Sequence, residues 1–180
     1  MAFYDITPAQ LAQAAIGTAY AVIYTVPTNT RTFVKDIVVA NTTAGSIDIY
    51  IHLVPASSGV GTGTIAGTTM TITAMTSGRF EINQTISGSG VTAAAISDPQ
   101  TGIGGVGTYQ VSVSQTVATA VTITGTATVD TSNALYYKYA LAANTSLHWV
   151  GAQIMNDSGT IQVKASATGC AISISGGEAV

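Results

Sequence analysis

Charged residues are scarce in this 180-residue chain. They make up 7% of it, five basic against eight acidic, and the formal net charge at pH 7 is −3. Proteins bind a phosphate backbone mainly through clustered Lys and Arg, which this composition does not supply. We therefore predict a protein that binds no nucleic acid, with a surface covered by Thr, Ser, Gln, Asn and Gly.

Long apolar runs are also missing, although 47% of the residues are hydrophobic. The longest, Ala19–Tyr24 and Ile37–Ala40, fall far short of the roughly 18 residues that a membrane-spanning helix needs. The single cysteine, Cys170, excludes an internal disulfide and a CxxC metal site, and we expect it to be buried in a strand. Residues 1–5 lack the basic start and apolar core of a secretory signal, which favours folding in a reducing cytoplasm.

Strand patterns fill most of the chain. In Ile47–Leu53 every second residue is Ile or Leu, with Asp48, Tyr50 and His52 between them. This period of two predicts a strand with one apolar and one polar face. Thr32–Ala40 is rich in β-branched residues and predicts a strand covered on both faces. Further strands are expected at Tyr20–Val26, Thr68–Met75, Arg79–Ile86, Thr108–Ser114, Ala120–Val129, Leu135–Leu141, Leu147–Val150, Thr160–Ala165 and Cys170–Ser175.

Only the N-terminal segment favours a helix. Thr7 can cap it, Pro8 suits its first position, and Gly17 can end it. A helix of about two turns needs tertiary packing to persist. Phe3 and Tyr4, ahead of it, are candidates for contact with a neighbouring subunit.

The composition changes twice along the chain and so predicts a discontinuous organisation. Residues 18–55 and 132–180 contain bulky strand patterns, whereas residues 56–131 are dominated by small and polar residues. We predict an all-β protein in which 18–55 and 132–180 form an antiparallel, jelly-roll-like β-sandwich. Residues 56–131 would be a small inserted β module, and residues 1–17 an N-terminal arm with the short helix. Such an insertion leaves its host intact if its two ends lie close together.

Short motifs recur in both parts of this organisation. In the outer segments they are Tyr24–Thr30 (YTVPTNT), Val38–Thr42 (VVANT), His52–Pro55 (HLVP), Leu141–Leu147 (LAANTSL), Gly159–Ala167 (GTIQVKASA) and Ile172–Gly176 (ISISG). These motifs resemble a β-sandwich found among virion proteins of tailed bacteriophages. In the inserted part they are Met70–Ala74 (MTITA), Gln84–Thr92 (QTISGSGVT), Gly107–Ser112 (GTYQVS) and Gln115–Ala118 (QTVA), which resemble a second recurrent phage module. Ala93–Pro99 stands where that module often has another Gly-Thr turn.

The resemblance implies a structural role on a phage particle. Decoration of the capsid, or the base of a head spike or fibre, is our first expectation, and a tail, collar or fibre-adaptor role is the alternative. The expected partners are other virion proteins, either the major capsid protein or tail and portal proteins. A homo-oligomer is expected, with a trimer favoured, located in the virion after assembly in the bacterial host cytoplasm.

No catalytic, cofactor-binding or metal site is predicted. Gly102–Gly107 matches GxGxxG, but the pattern that follows is a strand, whereas a dinucleotide site requires a helix there. A flexible turn is the better interpretation. His52 and His148 are the only histidines, and Asp48 lies about 13 Å along the strand from His52, which is too far for a hydrogen bond. The protein is therefore not expected to be an enzyme.

Aromatic residues are the remaining candidates for a site. Tyr137, Tyr139 and Trp149 are expected to pack in the core or at its edge. Tyr50, His52 and Tyr136 are expected on the polar face, where aromatics favour a subunit interface. A carbohydrate-binding module is a second alternative. It would need exposed aromatics beside clustered acidic or amide groups, and the chain has one tryptophan and few acids.

Overall fold

The structure is a computed structural model that describes residues 6–56 and 58–179. The chain is all-β, with antiparallel sheets and almost no helix, which confirms the coarse fold prediction. A 3-10 turn spans Thr131–Asn133. The strands are β1 (Ile6–Ile16), β2 (Ala21–Thr25), β3 (Arg31–Asn41), β4 (Ile47–Val54), β5 (Ser58–Gly78), β6 (Thr85–Gly88), β7 (Val91–Asp98), β8 (Gly107–Thr126), β9 (Ala134–Leu141), β10 (Ser146–Met155), β11 (Thr160–Ala165) and β12 (Cys170–Ala179).

The chain divides into two compact units. Unit 1 consists of Met1–Val54 together with Val129–Val180, and unit 2 of Pro55–Thr128. The sequence predicts these boundaries after residues 55 and 131. Unit 1 is therefore assembled from two separated segments of the chain.

Unit 1 contains two four-stranded sheets, ordered β1-β12-β3-β10 and β2-β11-β4-β9. Both contribute side chains to a single hydrophobic core. Full burial of each such aliphatic side chain stabilises the fold by about 1.5–3 kcal/mol. Cys170 lies in this core as expected, and burial raises the pKa of its thiol. The central core residues are Ile37, Val39, Ile172 and Ile174 from the first sheet and Ile49, Ile51, Ile161 and Val163 from the second.

The expected N-terminal helix is not present. The same residues form β1, which pairs antiparallel with β12 from Ile6 opposite Ala179 to Ile16 opposite Cys170. This pairing gives the backbone a ladder of hydrogen bonds, with a register shift between Gln10 and Ala12, and the ladder outweighs the marginal stability of an isolated short helix. Pro8 is compatible with the strand because β1 is at the sheet edge.

Unit 2 is built around two long strands, β5 and β8. β8 pairs along β5, and it also pairs with β7 near its start and with β6 near its end. Ile72, Phe80 and Tyr109 lie in a separate core, where the two aromatic rings are 5.6 Å apart. The sequence predicts separate strands at Thr108–Ser114 and Ala120–Val129, but one strand, β8, contains the first and continues through the second as far as Thr126.

Candidate functional site

The outer side of the β2-β11-β4-β9 sheet carries a cluster of aromatic rings. Tyr50 and His52 alternate along β4 with the core residues Ile49 and Ile51, so they point away from the core. We call the aromatic face the set Tyr20, Tyr50, His52, Tyr137 and Lys164. Tyr20 immediately precedes β2, Tyr137 lies on β9, and Lys164 lies on β11.

The four rings of the aromatic face form a closed square of edge-to-face contacts. Tyr20 lies 6.3 Å from Tyr50 and 5.2 Å from His52, measured between ring centroids. Tyr137 lies 5.4 Å from Tyr50 and 6.4 Å from His52. The interplanar angles are between 78° and 89°, the T-shaped geometry that aromatic quadrupoles favour. Each ring therefore contacts two others of the face.

Lys164 places a positive charge on this face. Its Nζ lies 4.7 Å from the centroid of the Tyr20 ring and 4.5 Å from that of Tyr50, in cation–π geometry. Across the strands, Lys164 is directly opposite Tyr50. No carboxylate pairs with Lys164 among the residues that the structure describes. Its charge is therefore held by the rings and available to a negatively charged group.

His52 is the buried support of the aromatic face, with 1% of its surface exposed. Its Nδ1 lies 2.9 Å from the Asp130 carbonyl oxygen and 2.9 Å from Asn133 Oδ1, and its Nε2 lies 3.1 Å from the Tyr20 hydroxyl. Both neighbours of Nδ1 are acceptors, so we assign the proton to Nδ1, and Nε2 accepts from Tyr20. Burial raises the pKa of Tyr20, and nearby Tyr137 and Tyr50 raise it further. With both nitrogens engaged, His52 is an anchor and not a free base.

The contacts of His52 join the chain leaving unit 1 to the chain returning to it. β4 ends at Val54, and Asp130 caps the 3-10 turn just after the return. The Asp130 carboxylate accepts from the Ser132 backbone N–H at 2.9 Å, and Asn133 Oδ1 accepts from the Asp130 N–H at 3.2 Å. The Ser132 N–H, and then the Thr131 hydroxyl, lower the pKa of Asp130. We call this contact of His52 with Asp130 and Asn133 the His52 bridge.

Tyr136 is not on the aromatic face, contrary to the expectation from alternation. Lys138 has a positive φ of 54°, and the pairing of β9 with β4 shifts register beside it. This irregularity puts Tyr136 opposite Ile51 on the core side, 5.3 Å from Tyr139, and turns Tyr137 outward with 57% of its surface exposed. The expectation that Tyr137 packs in the core is therefore also wrong.

The remaining candidates lie elsewhere. Phe3 and Tyr4 are outside the described residues. His148 contacts Asp36, with Nε2 2.5 Å from Oδ2, on the other sheet of unit 1. In residues 6–56 and 58–179, no group of three or more His, Cys, Asp or Glu is placed to hold a metal ion. A strand, β8, follows the GxGxxG segment, as the sequence predicts.

Sequence reasoning missed Tyr20 and Lys164. They lie far from Tyr50 along the chain. Only the pairing register of β11 with β2 and β4 places Tyr20 and Lys164 beside Tyr50 across the sheet. No local pattern in the sequence contains that register.

Comparisons of the chain with protein-family models, with curated proteins and with solved structures find no match. Within the described ranges, no helix is long and apolar enough to cross a membrane.

Proposed function

We propose that this protein is a non-enzymatic structural component of a bacteriophage virion that docks through unit 1 and presents unit 2. The favoured role is capsid decoration or the base of a head spike or fibre, and a tail, collar or fibre-adaptor role is the alternative. In this proposal the protein assembles with other virion proteins as a homo-oligomer, with a trimer favoured.

The strand order of unit 1 is the observation that carries the proposal. Strands that follow one another along unit 1 lie in opposite sheets. The exception is β4 and β9, which are neighbours in the same sheet. This is the order of an eight-stranded jelly-roll sandwich, an architecture common in viral capsid domains. The motifs that resemble phage proteins lie in these same strands and in the turns between them; Val38–Thr42 overlaps the end of β3, and Gly159–Ala167 contains β11.

A fold alone does not define a function, so the proposal also uses the aromatic face. Rigid aromatic side chains give a large contact area at a low cost in side-chain entropy, and they are enriched in interface cores. Tyr20 and Tyr137 are exposed, and both contact the buried His52 ring, which favours one orientation of each before a partner binds. The aromatic face is thus the surface by which unit 1 would dock on a neighbouring virion protein.

Purified particles provide the test. Quantitative mass spectrometry should find the protein in virions, and cryo-electron microscopy should show unit 1 against the particle. Many copies over the head would support decoration, and a single small ring near the portal would support the adaptor role. If the protein is absent from particles, the proposal is wrong.

The aromatic face itself is tested by a matched pair of variants on β9. Tyr137→Ser removes an exposed ring from this face, and we expect particle incorporation to fall about tenfold or more, the scale of an interface hot spot. Tyr139→Ser removes an exposed ring on the other side of the strand and serves as the control. Equal incorporation of both variants would show that docking uses another surface.

The aromatic face also supports a second candidate function, the binding of an acidic carbohydrate. An exposed Tyr137 ring can stack on a sugar, and Lys164 can pair with a sugar carboxylate. A glycan array that includes uronic acid and sialic acid saccharides would test it. Binding that is lost in Tyr137→Ser would favour this function over docking.

A further inference from the structure

The loop between β7 and β8 presents two aliphatic side chains to solvent. Ile103 is 70% exposed and Val106 is 57% exposed. No other large apolar side chain in the described part of the chain is as exposed as Ile103. We call Ile103 and Val106 the aliphatic knob.

The backbone of Ile103 is in a conformation that the residue disfavours. Its φ is 42°, in the left-handed region, where a β-branched side chain is strained and Gly or Asn is accommodated more easily. The exposed side chain gains little from burial in return. A residue that breaks a local rule without benefit to the fold is expected at a functional position.

The loop is held firmly in this shape. Buried residues donate to its carbonyls: the Phe80 N–H to Gly104 at 3.1 Å, and the Tyr109 hydroxyl to Gly105 at 2.5 Å. The Arg79 guanidinium donates to the Ile103 carbonyl at 3.3 Å and covers Gly104 so closely that a Cβ there would lie 2.6 Å from it. The aliphatic knob is therefore presented in a fixed position.

Unit 1 has an apolar cleft that can receive such a knob. It lies on the β1-β12-β3-β10 sheet and has a volume of about 710 Å³. Lys35 is the one charged residue in its lining. This volume is in the range of clefts that bury most of a drug-sized ligand, so there is room for two aliphatic side chains. The walls include Ile6, Pro8, Phe33, Ala152, Gly176 and Gly177.

We propose that the aliphatic knob of one copy inserts into the apolar cleft of a second copy of this chain. Thr101–Gly107 contains no charged residue, and the one charged residue of the cleft, Lys35, is exposed, so its ammonium can stay in water while the apolar walls receive the knob. The contact is heterologous: each copy offers a knob on one unit and a cleft on the other. Such contacts build rings or open chains, and ring closure strengthens contacts that are individually weak. The proposal does not depend on a virion location.

Sedimentation velocity of the full chain tests this contact with two complementary variants. Ile103→Asp disables the knob, and Ala152→Trp, at an exposed position, fills the cleft; Ala152→Asp is a second cleft variant. We expect the wild type to self-associate reversibly at concentrations up to the millimolar range and each variant alone to be monomeric. An equimolar mixture of Ile103→Asp with Ala152→Trp retains one intact knob and one intact cleft, so it should form a heterodimer and nothing larger.

Val113→Asp is the control, since Val113 is an exposed aliphatic residue of unit 2 outside the loop. It should associate like the wild type. A monomeric wild type, a mixture that stays monomeric, or loss of association in the control would each overturn the proposal. A chain that lacks residues 1–5 provides one more test. If this chain does not associate but Ile103→Asp still does, residues 1–5 bind the cleft in place of the aliphatic knob, and the proposal is wrong.

A stability measurement separates this role from a structural one. Ile103→Asn relieves the backbone strain, so it should raise the thermal unfolding midpoint by about 2–4 °C while association is lost. Val106→Ser should weaken association without that gain. A lower midpoint in Ile103→Asn would mean that Ile103 serves folding, and the proposal would be wrong.

Discussion

At the scale of single residues, the His52 bridge predicts a specific loss of stability. His52→Leu removes the donor to the Asp130 carbonyl and to Asn133 Oδ1, in a site where His52 is buried. We expect the free energy of unfolding of unit 1 to fall by about 1–3 kcal/mol. His52→Asn places an amide N–H near the position of Nδ1 and should recover part of the loss. Chemical denaturation measures both, and equal losses would contradict the assigned donor.

Tyr24 predicts how unit 1 responds to alkaline pH. Its hydroxyl donates to Glu178 Oε1 at 2.5 Å and lies 2.7 Å from Thr32 Oγ1, which links β2 to strands of the other sheet. Burial, and then the hydrogen bond to the Glu178 carboxylate, raise the pKa of Tyr24 to about 12. The fold therefore favours the protonated hydroxyl. The stabilisation is complete below about pH 10, the ordinary pKa of tyrosine, and is lost as the pH rises through 12.

Tyr24→Phe should remove this pH dependence. The variant is expected to lose less stability than the wild type between about pH 10 and 12, because Phe has no proton to release. A titration followed by near-ultraviolet absorbance should lose the tyrosine that ionises near pH 12. An unchanged titration would assign that ionisation to another residue.

At the scale of elements, β5 depends on glycines at alternate positions. Gly59, Gly61 and Gly63 share one face, and later residues of the chain pack closely against them. A Cβ on Gly61 would lie 2.7 Å from the Ala74 carbonyl oxygen. Gly61→Ala should therefore lower the free energy of unfolding of unit 2 by about 1–3 kcal/mol.

The control for this prediction is Gly105→Ala. A Cβ on Gly105 would meet only the Gly102 carbonyl oxygen, at 3.7 Å, and its φ is not positive. Thermal unfolding followed by circular dichroism should show a loss for Gly61→Ala alone. Similar midpoints for the two variants would mean that β5 shifts to admit the extra methyl.

The strands that could be predicted from the sequence are those in which every second residue is apolar. Thr160–Ala165 was predicted with its observed bounds, because Ile161 and Val163 alternate with polar residues. The first half of β5 gave no such signal, since its buried positions are glycines that resemble a loop. Arg79–Ile86 failed for the opposite reason: it has strand composition, but the buried Gln84 amide donates to the Arg79 and Ala56 carbonyls and shapes residues 79–84 as a loop.

At the scale of the whole molecule, both units have their chain ends close together. In unit 1, His52 is paired with Ala134 across β4 and β9, and in unit 2 Ser58 is paired with Thr126 across β5 and β8. A chain in which an Asn-Gly link joins Val54 to Val129 should fold, because β4 and β9 remain paired neighbours and the link closes only a short loop between them. Residues 55–128 should fold as well.

Calorimetry and amide hydrogen exchange test whether each unit folds and unfolds independently. The intact protein is expected to unfold in two transitions, one near that of each isolated unit. Loss of cooperative unfolding in the shortened chain would show that unit 1 requires the insertion. Residues 58–126 with scrambled order provide a control for residual structure.

Composition predicts the discontinuous organisation, because bulky residues and small polar residues are segregated along the chain. The aromatic face could not, since Tyr20, Tyr50, Tyr137 and Lys164 meet only through the pairing of four strands. The register shift beside Lys138, which exchanges the sides of Tyr136 and Tyr137, has no signature in a sequence of alternating tyrosines.

The adjacency of β4 and β9 also determines how unit 1 would bear a mechanical load. Tension applied through unit 2 enters unit 1 at the same end of two neighbouring antiparallel strands. Both are drawn in one direction, so the hydrogen bonds between them are not unzipped one by one. The force passes instead to the ladder between β4 and β11, whose bonds lie perpendicular to the strands and are strained together in shear. We therefore expect unit 1 to resist unfolding when it is pulled through unit 2.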